Sequence, residues 1–168
     1  MTSVTEPQQA ETIALTAEQQ DILRAEVAAI LRAISGQRRE TYEALAAAVN
    51  AGEVPVSLMV PLEELVALLL ETRRARQIYT AEGERVLTEL FQETNKGREM
   101  ARQLAEVNRA LASLSGRTIS GVRIGMRTIG HFTVTLNAGA MSVTLAVQPR
   151  SVIVEGVAVG GEEEGGGA

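Results

Sequence analysis

The chain contains no cysteine and no tryptophan, and only one histidine, two tyrosines and two phenylalanines among 168 residues. Without thiols there are no disulfides, thiolate nucleophiles, cysteine-ligated zinc sites or iron–sulfur clusters, and an intracellular setting is compatible with that lack. A single imidazole rules out chemistries that need a histidine pair, and so few aromatic rings leave little for stacking bases. Lysine is almost missing too: 15 of the 16 basic residues are arginine, with Lys96 the exception. A basic excess is also lacking, because 21 acidic residues bring the net charge to −5. That balance argues against a generic nucleic-acid binder. The longest apolar run in the helical part, Val66–Leu70, is bounded by Glu63, Glu64 and Glu71, far short of the ~20 residues a membrane span needs. Residues Met1–Glu11 are polar and carry no basic stretch ahead of an apolar one, so they do not read as a secretory signal. The expectation is a cytoplasmic protein with no membrane contact and no cofactor.

Apolar residues make up 45 % of the chain, enough for a sizeable core at this length. The pattern changes near Gly116. Before it, apolar residues recur at helical spacing; after it, they alternate with period two. Charge changes there as well. Residues 1–115 carry 12 basic and 17 acidic side chains, whereas 117–160 carry four arginines and one glutamate.

Thr16 and Gln19 have the spacing of a capping box, and Leu23, Val27, Ile30 and Ile34 then form one stripe. Gly36 either ends this helix or bends a longer one. A second helix is expected over 37–49, with Tyr42, Leu45 and Val49 inward, closed by Asn50-Ala51-Gly52. Pro55 and Pro61 forbid a continuous helix through 53–61, so that stretch reads as an apolar loop, with Pro61 suited to a first helical position. Leu62, Leu65, Val66, Leu69, Arg73 and Ile78 continue at helical spacing, Thr80 and Gly83 interrupt, and Val86, Leu87, Leu90 and Phe91 resume. Asn95-Lys96-Gly97 reads as a turn. The last helix is the most regular, with Met100, Leu104, Val107, Leu111 and Leu114 spaced as a coiled-coil-like seam, although only about two heptads long.

Beyond Gly116, strands are expected over Thr118–Arg127, Phe132–Leu136, Met141–Val147 and Ser151–Val159, separated by turn signals such as Asn137-Ala138-Gly139-Ala140 and Gln148-Pro149-Arg150. The expected fold is therefore α+β: an N-terminal helical bundle of about four helices over 16–115, then a small antiparallel β meander of three to four strands over 116–160. A flexible N-terminal segment over 1–15 and a disordered Gly/Glu tail over 161–168 complete it. The meander has one apolar face and cannot bury it alone, so it must lie on the helices or on another copy.

Candidate chemistry is sparse. His131 has no acidic residue between Gly116 and Val154 to orient it as a base, and a strand-end role suits it better. Glu63, Glu64 and Glu71, and the set Glu82, Glu84, Glu89 and Glu93, lack the accompanying Glu-x-x-His of a bundle metal site and read as solvent-facing acids. Gly121 and Gly125 lie inside a strand pattern, where neither a P-loop nor a dinucleotide fingerprint is met. Arg73, Arg74 and Arg76, with Arg38 or Arg39 nearby, form a candidate anion site; pairing with Glu40, Glu43, Glu71 and Glu82 is the competing explanation.

Three functional classes follow. The first is a non-catalytic structural or assembly subunit that self-associates as a homo-oligomer through Met100, Leu104, Val107, Leu111 and Leu114. The second is an adaptor or chaperone-like protein that binds an apolar partner helix near Val54–Val60. The third, ranked last, is a nucleic-acid-associated accessory subunit using the arginine groups. An enzyme is not expected. The seam must be covered, either by the Leu65–Ile78 region of the same chain or by the matching seam of a second copy.

Overall fold

The computed structural model describes residues 12–160; the expectations for 1–11 and for the 161–168 tail lie outside them. The order is β1 (Thr12–Ala14), α1 (Ala17–Leu31), α2 (Gln37–Ala51), β2 (Glu53–Pro55), a 3₁₀ turn (Val56–Leu58), α3 (Met59–Glu71), α4 (Arg74–Glu93), α5 (Asn95–Ala112) and strands β3 (Gly121–Thr128), β4 (His131–Ala138), β5 (Met141–Gln148) and β6 (Ser151–Val159). The fold is α+β, five helices followed by a four-stranded antiparallel sheet. The described chain divides into two compact units at Arg98/Glu99. That boundary falls inside α5, not at Gly116 where the sequence pattern changes.

In the first unit, Thr16 caps α1 as its spacing implies. Its hydroxyl accepts from the Gln19 N–H, and the Gln19 side chain accepts from the Thr16 N–H, so two otherwise orphaned donors are satisfied. Gly36 separates two helices, and left-handed Gly52 (φ 83°) closes α2. Two short strands were not legible in the sequence. Thr12–Ala14, placed there in the flexible 1–15 segment, pairs antiparallel with Glu53–Pro55 from the expected loop. The register sets Ile13 opposite Val54, and both are buried. The core is built from Leu23 and Val27 of α1, Leu45 and Val49 of α2, Leu62, Leu65 and Leu69 of α3, and Leu87 and Leu90 of α4.

Among the described residues, two that are not glycine sit at positive φ. Arg73 (φ 58°) precedes α4, and Thr80 (φ 65°, ψ −171°) breaks α4 internally, whereas Gly83 stays helical. Thr80 lies in a region that is nearly glycine-only, where a β-branched residue stores about 1–3 kcal/mol of strain. The segment between them, Arg74–Tyr79, is held from the side, as described below. Asn95-Lys96-Gly97 is not a turn but the first turn of α5; the break falls on Thr94, which is fully buried. The Thr94 hydroxyl accepts from the Gly97 N–H at 3.2 Å and donates to the Phe91 carbonyl at 2.7 Å. One residue thus ends α4 and caps α5.

The second unit comprises α5 from Glu99 and the meander, whose strand order is β3-β4-β5-β6. Pairing is antiparallel throughout and places Val122, Leu136, Val143 and Val157 in one row, and Ile124, Val134, Leu145 and Val154 in the next. The apolar alternation of β3, β4 and β5 therefore falls on one face, whereas Ile153 of β6 lies on the other, in the row of Gly125, Thr133 and Ala146. The opposite face carries Arg123, Thr135, Thr144 and Gly156 in the corresponding row, with the Thr135 and Thr144 hydroxyls 3.3 Å apart. Arg127 of β3 and Glu155 of β6 form an ion pair that joins the two outer strands; with strands about 4.8 Å apart, that reach requires the sheet to curl. Among the described residues no helix is long and apolar enough to cross a membrane.

Candidate functional site

Two of the three arginines of the candidate anion site are engaged with carboxylates. Arg74 donates from Nε to Glu26 Oε2 at 2.9 Å, and Arg76 reaches Glu84 at 3.3 Å. Elsewhere Arg39 pairs with Glu43, and Arg85 with Glu82 and Glu89. Arginine forks meet carboxylates here, as the competing explanation has it, with Glu26 and Glu84 among the partners. Among the described residues, no three His, Asp or Glu side chains converge as metal ligands would.

Two buried carboxylates were missed in the sequence. Glu26, 4 % exposed, accepts from Arg74 and also from the Tyr79 hydroxyl at 2.7 Å. It therefore ties both ends of Arg74–Tyr79, the segment flanked by the two strained residues, to α1. Glu63, expected with Glu64 and Glu71 to face solvent, is buried. Its Oε1 accepts from the Lys96 N–H at 2.9 Å, setting a carboxylate at the positive end of α5. Its Oε2 stands 3.9 Å from the Lys96 ammonium. Both residues carry a signal in hindsight: each sits inside an apolar stripe, Glu26 between Leu23 and Ile30, Glu63 between Met59 and Val66. A charge at an inward helical position calls for a partner.

Burial first, then the hydrogen bond to Glu26, pushes the Tyr79 hydroxyl up to about 12 from its ordinary 10. The folded protein thus holds this proton more tightly than the unfolded chain. The stabilisation is complete below about pH 10 and is lost as pH rises toward 12. Alkaline unfolding should therefore show a decline across that window which Tyr79→Phe flattens. Ultraviolet difference titration of the two tyrosines supplies the direct check, and an ordinary midpoint for both would refute the Glu26–Tyr79 contact.

The α5 seam is divided. Val107 and Leu114 are buried and Leu111 half-buried, packed on Ala138, Val143 and Leu145 of the meander with Val134, Leu136, Val152 and Val154 around them. The meander of the same chain covers this end, in line with the expectation that its one apolar face lies on the helices. Met100 is half-buried and Leu104 is 45 % exposed. The sheet is only partly covered in return. A helix with its side chains is about 10 Å across, whereas four strands at about 4.8 Å spacing are wider. On inner strand β5, Val143 and Leu145 are buried, and β3 at the edge is bare: Val122, Ile124 and Met126 are 59 %, 69 % and 68 % exposed. Phe132, Val157 and Val159 extend the exposed apolar surface on the same face. This exposed apolar surface is a distinctive feature of the second unit. No protein-family model, curated protein or solved structure matches the chain.

Proposed function

We propose that this protein is a non-catalytic assembly subunit that associates with copies of itself through the second unit. The observation that carries this reading is the bare β3 row, Val122, Ile124 and Met126, lying on the same face that α5 covers over β5. Apolar area left in water on an ordered sheet favours association at roughly 25 cal/mol per Å² removed, and most oligomers bury such a patch against its own copy. The seam residues Val107, Leu111 and Leu114 then serve to hold the sheet, and Met100 and Leu104 remain on the outer part of the helix.

The adaptor reading draws on a different surface. Val54 and Met59 are committed to the core of the first unit, but Val56, Val60 and Leu68 are half or more exposed and offer an apolar strip to a partner helix. The nucleic-acid reading is the weakest, because Arg74 and Arg76 are engaged with Glu26 and Glu84.

Light scattering on the purified protein at micromolar concentration should report a mass of two chains. Val122→Glu together with Met126→Glu should return it to the 17.9 kDa of one chain with unchanged far-ultraviolet circular dichroism. A wild-type monomer overturns the assembly reading and favours the adaptor.

A further inference from the structure

We infer that the partner on the bare edge is a second copy of β3, paired antiparallel about a two-fold axis at Ile124, so that two meanders form one continuous eight-stranded sheet. This deepens the assembly reading and rests on it. Strand β3 is an outer strand with β4 on one side only. It has neither proline nor lysine, two of the devices that keep an edge from pairing. The other edge is poorer. Strand β6 carries a register shift at Thr144/Leu145, near its middle, and a bulge twists an edge away from partners. The irregularity of β3 comes only at its end, between Met126 and Thr128.

The identity of the partner follows from the pattern of β3 itself. Antiparallel pairing of a strand with its own copy requires a sequence that is chemically palindromic, and β3 is so about Ile124. In that register Ile124 faces Ile124 of the second copy, and Val122 faces its Met126, extending the apolar row across the junction. On the opposite face Arg123 meets Gly125 and Gly121 meets Arg127, so each arginine stem lies over a residue with no side chain. The flanks agree as well: Ile119 and Ile129, 45 % and 91 % exposed, come opposite one another.

Charge selects this register over its neighbours. An axis at Arg123 sets that residue against itself, and an axis at Gly125 sets Arg123 against Arg127; like charges directly opposite are destabilising. With the axis at Ile124 no arginine faces another. Arg127 is in addition already paired with Glu155, which lowers the positive charge brought to the junction.

The chain has no cysteine, so single introduced thiols report the junction cleanly. Residues directly opposite in an antiparallel pair have Cβ atoms about 4.5–5.5 Å apart, near the reach of a disulfide. Ile124→Cys, at a position mostly exposed in the single chain and so harmless to folding, should give a covalent dimer under mild oxidation. Val157→Cys, on the same face of β6, should not. Ile124→Lys should weaken the dimer at least tenfold by placing two ammonium groups together at the axis. A wild-type dimer in which Ile124→Cys fails to cross-link and Ile124→Lys changes nothing overturns the β3 junction and leaves the assembly reading standing. Cross-linking at Val157→Cys in its place moves the junction to β6 and likewise overturns it. A wild-type monomer overturns both.

Discussion

Alanine at Gly97 should destabilise the first unit by about 2 kcal/mol or more. A Cβ built there falls within the contact radius of the Phe91 carbonyl oxygen and lies 2.6 Å from the Phe91 carbonyl carbon. These are backbone atoms, so no rotamer change relieves the clash; the end of α4 or the start of α5 must shift. Overpacking a fixed site costs about 1–3 kcal/mol, more where backbone moves. Alanine recovers only about 1 kcal/mol over glycine in a helix interior, and the clash wins. The shift would also pull the Gly97 N–H from Thr94 and the Lys96 N–H from buried Glu63, leaving a carboxylate without its donor. Denaturant unfolding should show a lower midpoint at an unchanged slope. Gly156→Ala, at a position with open space around the added methyl, is the matched control. Equal stability of the two variants would mean that α4 and α5 do not meet as closely at Thr94 as described.

The second expectation concerns which piece of the chain holds the meander. A fragment of residues 116–160, the β region as the sequence pattern delimits it, should be unfolded or aggregated, whereas 99–160 should fold. Ordering each residue costs about 1–2 kcal/mol of backbone entropy, and a four-stranded sheet with one bare apolar face has little to set against that. The missing contribution is α5. Val107, Leu111 and Leu114 seal Val143, Leu145 and Ala138, and without them that row is exposed along with β3. Nitrogen–proton correlation spectra decide the matter: a dispersed spectrum from 116–160 alone would show that the sheet needs no helix. In the longer fragment, Val107→Ala with Leu114→Ala should collapse the dispersion, because both side chains are nearly fully buried.

The positions of most elements were legible because their signals are local. The Thr16–Gln19 box, the stripes of α1 and α5, and the alternation of β3 to β6 each depend on neighbours within a few residues. Departures arose where a long-range partner decided. Asn95-Lys96-Gly97 has turn composition yet forms the first turn of α5, because Glu63 and Thr94 accept its free N–H groups. The prolines at 55 and 61 announce a loop, but an edge partner at Thr12–Ala14 turns 53–55 into a strand, with Pro55 at its end where a missing N–H is tolerated. The arginine cluster was visible as a cluster; that Arg74 meets Glu26, 48 residues away, was not. Nor could a list of charges say that two of the glutamates are buried, although their place inside apolar stripes was a clue.

By itself, then, the sequence determined the class of this protein, helices followed by an antiparallel sheet, and the absence of thiol chemistry. It also held the alternation that gathers every large apolar side chain of β3 on one face, since side-chain direction in a strand has period two and needs no partner to define it. Tertiary structure alone decided who covers whom. The seam of α5 could have met a helix, a second chain or the sheet, because an apolar stripe records only that it must be buried and not by what. Only the folded second unit shows the sheet taking that role, and a single helix is too narrow to cover four strands, which leaves β3 bare.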